Sequence, residues 1–136
     1  MQNPPPVQTT KSSTGLDENI AALLSYVFGW VSGLIFFLME KDSRLVKFHA
    51  MQSILLNAVA IVVGIVLWVG WVVVALILTQ VSEVLASLVS IVMGLLMFVL
   101  YVGVFIAFVM CLIKAYQQQY FKLPVIGNFA EKFSAK

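Results

Sequence analysis

The chain has 136 residues, 62% of them hydrophobic and 10% charged, with a formal net charge of +2. A water-soluble domain carries roughly 45–50% apolar and about 25% charged residues, so this composition excludes an ordinary soluble protein and predicts residence in a lipid bilayer. So small a net charge, without Lys and Arg clustered on a solvated face, excludes nucleic acid as a partner. The one cysteine, Cys111, excludes a disulfide framework or a paired metal motif and reads as a small packing residue.

Residues 1–15 are rich in Pro, Gln, Ser and Thr and predict a disordered tail. They do not read as a secretory leader. Lys11 is their one cation, the acidic pair Asp17 and Glu18 precedes the first apolar run, and no small-x-small cleavage motif follows. Residues 19–39 carry no charge, and 21 residues at about 1.5 Å each span the roughly 30 Å hydrocarbon core, predicting a first transmembrane helix. A charged turn, 40–44, and a mixed segment lead into a second helix over 45–79. Thr79, Gln80, Ser82 and Glu83 form the polar break before a third helix over 84–114. Runs of about 30 residues must tilt or project into the headgroups. Splitting either run into two crossings would leave pieces below the usual minimum of about 17 residues, with no Pro or charge to make the turn.

The expected architecture is therefore an all-α integral membrane protein. A three-helix transmembrane domain occupies 16–116, and an interfacial tail follows over 117–136. Three crossings place Lys41, Arg44, Lys47, Lys114, Lys122, Lys132 and Lys136 on one side and Lys11 alone on the other. A seven-to-one split predicts an outer N-terminus and a cytoplasmic C-terminus.

No charged group lies deep in the apolar runs, as a proton relay or coupled transporter would require. One histidine without a recognisable partner supplies neither a hydrolytic site nor a metal site, so neither enzyme activity nor any metal or other cofactor is expected. What the runs do contain is small residues at helical spacing, which let helix backbones approach closely. These are Ser25, Gly29 and Gly33 in the first helix; Ala50, Ser53, Asn57, Ala60 and Gly64 in the second; and Ala86, Ser90 and Gly94, then Gly103 and Ala107, in the third. Four such seams for three helices make a homo-oligomer, or assembly with another membrane protein, the expected partnership beside the lipid itself.

His49, Gln52, Ser53 and Asn57 form one polar face at the entrance to the second helix. Two readings stay open: a self-satisfied interhelical cluster, or a notch that binds a headgroup, peptide or solute. After the third helix, Tyr116, Tyr120 and Phe121 interleave with Lys114 and Lys122 as an interfacial anchor. Val125, Ile126, Phe129 and Phe133 then outline an amphipathic end beyond the breakers Pro124 and Gly127.

The residues LDENIAALLSY (16–26), EKDSR (40–44), VKFHAMQS (46–53) and PVIGN (124–128) together carry a likeness. The chain resembles the small prokaryotic membrane proteins grouped with the chloroplast inner-envelope import component, and looks like the magnetosome-membrane proteins of the MamF type. The resemblance implies a prokaryotic cytoplasmic membrane location. It also implies, as an alternative to a role in helix association, a channel or protein-translocation role.

Overall fold

The computed structural model describes residues 10–135. It contains five helices in chain order: α1 (Glu18–Val27), α2 (Trp30–Met39), α3 (Arg44–Thr79), α4 (Glu83–Tyr116) and α5 (Ile126–Ser134). The chain divides into two units. One comprises the described residues up to Asn57 together with those from Val109 to Ala135; the other is the segment Ala58–Phe108.

In the first unit, the apolar run 19–39 is not the single helix its length predicts. It breaks at Phe28 and Gly29 into two ten-residue helices that pack on each other. Gly29 sits at φ 62° and ψ −133°, a conformation open to glycine and costly for residues with a Cβ. Ser32 serves the break. Its hydroxyl accepts the Phe28 N–H at 3.0 Å and lies 3.1 Å from the Ser25 carbonyl and 3.2 Å from the Gly29 carbonyl, to which it donates. One side chain thus serves backbone groups that the interrupted helix leaves orphaned. A helix of ten residues is about 15 Å long, half of a hydrocarbon core.

The chain then returns to its starting level. Glu18, the first residue of α1, accepts a hydrogen bond from Ser43, just beyond the end of α2. Residues 10–15, expected as part of the disordered tail, are built into this junction; residues 1–9 of that tail lie outside the described residues. Thr10 donates to Glu18, Ser12 donates to Glu40, and the Ser13 hydroxyl donates to Glu40 at 2.8 Å or to Asp42 at 2.7 Å.

α3 and α4 are the long apolar helices, 36 and 34 residues, both long and apolar enough to cross a membrane. Ser43 caps α3, accepting the Val46 N–H at 3.2 Å, and Ser82 caps α4, accepting the Leu85 N–H at 3.3 Å. In the second unit the two helices form a hairpin around the turn at 80–82. Ala86 is its one buried residue. A Cβ on Gly64 would come within 3.7 Å of the Tyr101 hydroxyl.

Candidate functional site

The first three turns of α3 carry the buried face of the first unit: Leu45, Val46, Phe48, His49, Ala50, Gln52, Ser53 and Leu56. Burying His49 and Gln52 among these apolar residues is costly unless each polar atom finds a partner. The partners come from α1, α4 and the segment that follows α4.

His49 Nε2 lies 2.9 Å from the carbonyl oxygen of Gln119, and His49 Nδ1 lies 3.0 Å from the Tyr26 hydroxyl. A carbonyl only accepts, so Nε2 carries the proton and Nδ1 accepts from Tyr26. Gln52 Nε2 faces the Tyr26 oxygen at 3.2 Å, the Phe121 carbonyl at 2.9 Å and the Cys111 sulfur at 3.4 Å. Gln52 Oε1 accepts the Leu123 N–H at 3.3 Å. The donors therefore run in one direction: Leu123 to Gln52, Gln52 to Tyr26, Tyr26 to His49, His49 to Gln119. Phe48 and Tyr26 set ring edges against the imidazole at centroid distances of 5.1 and 5.7 Å.

Residues 119–123 thus lie across the polar face at His49 and Gln52, where an outside ligand would have to reach. This strap is flanked by two non-glycine residues of positive φ, Gln118 at 56° and Val125 at 66°. It is held down further by Gly127, where a Cβ would lie 2.5 Å from the Lys122 Cα.

The four polar residues of α3 do not act as one face. His49 and Gln52 meet the strap, whereas Ser53 and Asn57 face the α1–α2 break. Ser53 donates to the Gly29 carbonyl at 3.0 Å, and Asn57 donates to the Ser53 carbonyl at 2.8 Å. Its Oδ1 would lie 3.1 Å from a Cβ on Gly29.

The small residues separate likewise. Ser25, Gly29 and Gly33 belong to two helices and a turn, so they do not form one GxxxG seam. Of these three, Gly33 makes the closest approach to α3, since a Cβ there would meet the Ala50 carbonyl oxygen at 2.9 Å. Ala60, Ser90 and Ala107 are half-exposed in the hairpin, and Gly94 and Gly103 have no neighbour within 4 Å of a Cβ position.

A second polar centre escaped the sequence reading. Glu40 is 2% exposed. Its carboxylate accepts from Ser12, from the Ser13 N–H and hydroxyl, from the Asp42 N–H at 3.0 Å and from the Ser43 N–H at 2.8 Å. Burial by itself would raise its pKa; the hydrogen bonds from Ser12, Ser43 and Ser13 outweigh burial and hold it at about 2. The signal available in the sequence was a single acid closing an apolar run, with a Ser-rich stretch ahead of it.

Residues 16–130 match the model of the magnetosome magnetite crystal formation protein family. The chain belongs to that family. It is also similar to UPF0132 membrane proteins of archaea. Two are from Methanocaldococcus jannaschii, one 41% identical with 91% of this chain and 94% of the relative covered, the other 33% identical with 88% and 71% covered. A third, from Archaeoglobus fulgidus, is 38% identical with 86% and 95% covered. No solved structure matches the chain.

Proposed function

We propose that this member of the family is a non-catalytic multi-pass protein of a prokaryotic cytoplasmic membrane that works by assembling with copies of itself in the bilayer. The observation that carries the reading is the hairpin 58–108. It holds its large apolar side chains outward almost throughout, with Val66 64%, Leu76 63%, Leu96 60% and Phe105 64% exposed. Such a surface is stable only against lipid or protein. Gly94 and Gly103 leave backbone open on it, which suits close contact between helices of different copies.

In this reading α3 and α4 cross the membrane, and α1 and α2 form a re-entrant hairpin that enters and leaves on the cytoplasmic side. Seven of the eight Lys and Arg residues, Lys11 among them, then belong to the described part of the first unit, and none belongs to the hairpin. That distribution favours a cytoplasmic N-terminus over the outer one expected from three crossings. Magnetite chemistry, which the family's name attaches to its members, is not part of the proposal. Among the described residues no three His, Cys, Asp or Glu side chains come together as a metal donor set.

The test is assembly size in lipid nanodiscs. A fixed stoichiometry above one, reduced by Gly94→Ile, which interrupts the row Ala86, Ser90 and Gly94, more than by Gly70→Ile, which lies outside the small-residue rows, is the expected result; a monomer at all concentrations overturns it. Steady conductance in a planar bilayer would favour the rival reading, the channel or translocation role implied by the likeness to the plastid import component.

A further inference from the structure

The entrance to α3 holds a feature unconnected with the His49 cluster. A cavity of about 250 Å³ opens there, lined by Lys41, Asp42, Arg44, Lys47, Ser134 and Ala135. Three of the six are cations and one is an anion. The anion offsets only one of the three positive charges, and its carboxylate also lies 2.7 Å from the Ser13 hydroxyl. None of the three cations is in a contact ion pair: the one such pair among the described residues joins Lys122 to Glu131 at 2.5 Å, and Arg44 acts on the Glu131 carboxylate from further away. Lys47 leans over the turn, its Nζ 3.4 Å from the Lys41 carbonyl. Three like charges around one cavity repel each other, and a bound anion relieves the repulsion. The cavity also lies at the N-terminus of a 36-residue helix, where the helix dipole favours negative charge.

Two observations choose among anions. α5, which supplies Ser134 and is followed directly by Ala135, exposes Phe129 and Phe133 at 50% and 45%, aromatic surface of the kind that rests at headgroup depth. And the cavity opens at the polar end of a membrane-length helix, the place where basic clusters meet anionic lipid. We propose that this cavity binds the phosphodiester headgroup of an anionic phospholipid. Arg44 is the residue able to fork onto two phosphate oxygens, with Lys41 and Lys47 as flanking point charges. The excess of cations disfavours a zwitterionic headgroup, whose ammonium would enter beside them.

The experiment uses the full chain in neutral detergent, titrated with phosphatidylglycerol or phosphatidylcholine, with bound lipid counted by native mass spectrometry. One saturable phosphatidylglycerol per chain is expected, with phosphatidylcholine bound at least tenfold more weakly. Arg44→Gln and Lys47→Gln should each weaken binding about fivefold, the effect of one cation near a membrane surface. Lys132→Gln removes the same charge outside the cavity and should change it less than twofold. Arg44→Lys keeps the charge and loses the fork, so a loss smaller than that of Arg44→Gln but still measurable is expected. If Arg44→Gln does not fold, as judged by helical circular dichroism, Lys47→Gln decides alone. Equal loss from Lys132→Gln would show diffuse attraction and overturn the site. Equal affinity for phosphatidylcholine would also overturn it, and displacement of the lipid by millimolar inorganic phosphate would identify a free anion as the occupant. A monomer in nanodiscs would sink the assembly reading and leave this one standing.

Discussion

His49 and Gln52 are buried polar side chains whose partners lie on three separate segments, so their value shows when one is removed. Gln52→Leu fills similar volume but abandons the Leu123 N–H and the Phe121 carbonyl. It should cost about 1–3 kcal/mol. Tyr26→Phe removes the donor to His49 and an acceptor of Gln52, and about 1–2 kcal/mol is expected. Thermal unfolding of the purified variants measures both. If both variants are as stable as the parent but lose a crosslinked partner in cells, the strap is a displaceable cover over a binding notch rather than part of the core. Glu40 gives a different signature. Its folded pKa of about 2 lies below the ordinary 4.5, so it contributes stability that is full above pH 4.5 and is lost as pH falls toward 2. Glu40→Gln should lower stability at pH 7 and remove this acid-dependent loss, checked by unfolding midpoints between pH 2.5 and 7. A parallel acid-dependent loss in the variant would assign it to other carboxylates.

The long helices were legible because α3 and α4 announce themselves by uncharged length, and the turn between them by Gln80, Ser82 and Glu83. The break in the first run was not legible. Its 21 residues satisfy the length rule for a crossing, and Gly29 and Gly33 imitate a GxxxG seam. What decides against a single helix is tertiary: Ser32 serving the break, and the Ser12, Ser13 and Ser43 hydroxyls joining the two ends through Glu18 and Glu40. The same holds at the site. The sequence brings His49, Gln52 and Ser53 onto adjacent turns, but Gln119, Phe121 and Leu123, which meet His49 and Gln52, and Gly29, which meets Ser53, act through backbone atoms, which leave no mark in residue identity. The α1–α2 hairpin can be probed at its two glycines. Gly33→Ala would push against the Ala50 carbonyl, and Gly29→Ala would adopt a strained backbone; each should cost about 1–3 kcal/mol. Gly70→Ala meets open space and should be neutral or slightly stabilising. Equal midpoints for all three in a detergent melt would mean that α2 does not pack on α3 as described.

For the molecule as a whole, the re-entrant reading and the three-crossing reading differ in where the N-terminal segment lies. In a Cys111→Ala background, Lys11→Cys and Lys132→Cys should both react with a membrane-impermeant thiol reagent from the cytoplasmic side, and Val81→Cys, in the α3–α4 turn, from the outer side. Labelling of Lys11→Cys from outside would restore three crossings and the outer N-terminus. The strap has a consequence for how the protein is made. Its bonds join residues 70 and 71 positions apart, His49 to Gln119 and Gln52 to Leu123. When α3 leaves the ribosome, the groups that satisfy its buried histidine and glutamine have not yet been synthesised, and they arrive only after α4 is complete. The first unit therefore cannot close until the strap has been made. The nascent chain carries an open polar face until residues 119–123 emerge, an interval in which an insertase or chaperone can hold it and in which a chain cut before residue 119 would remain.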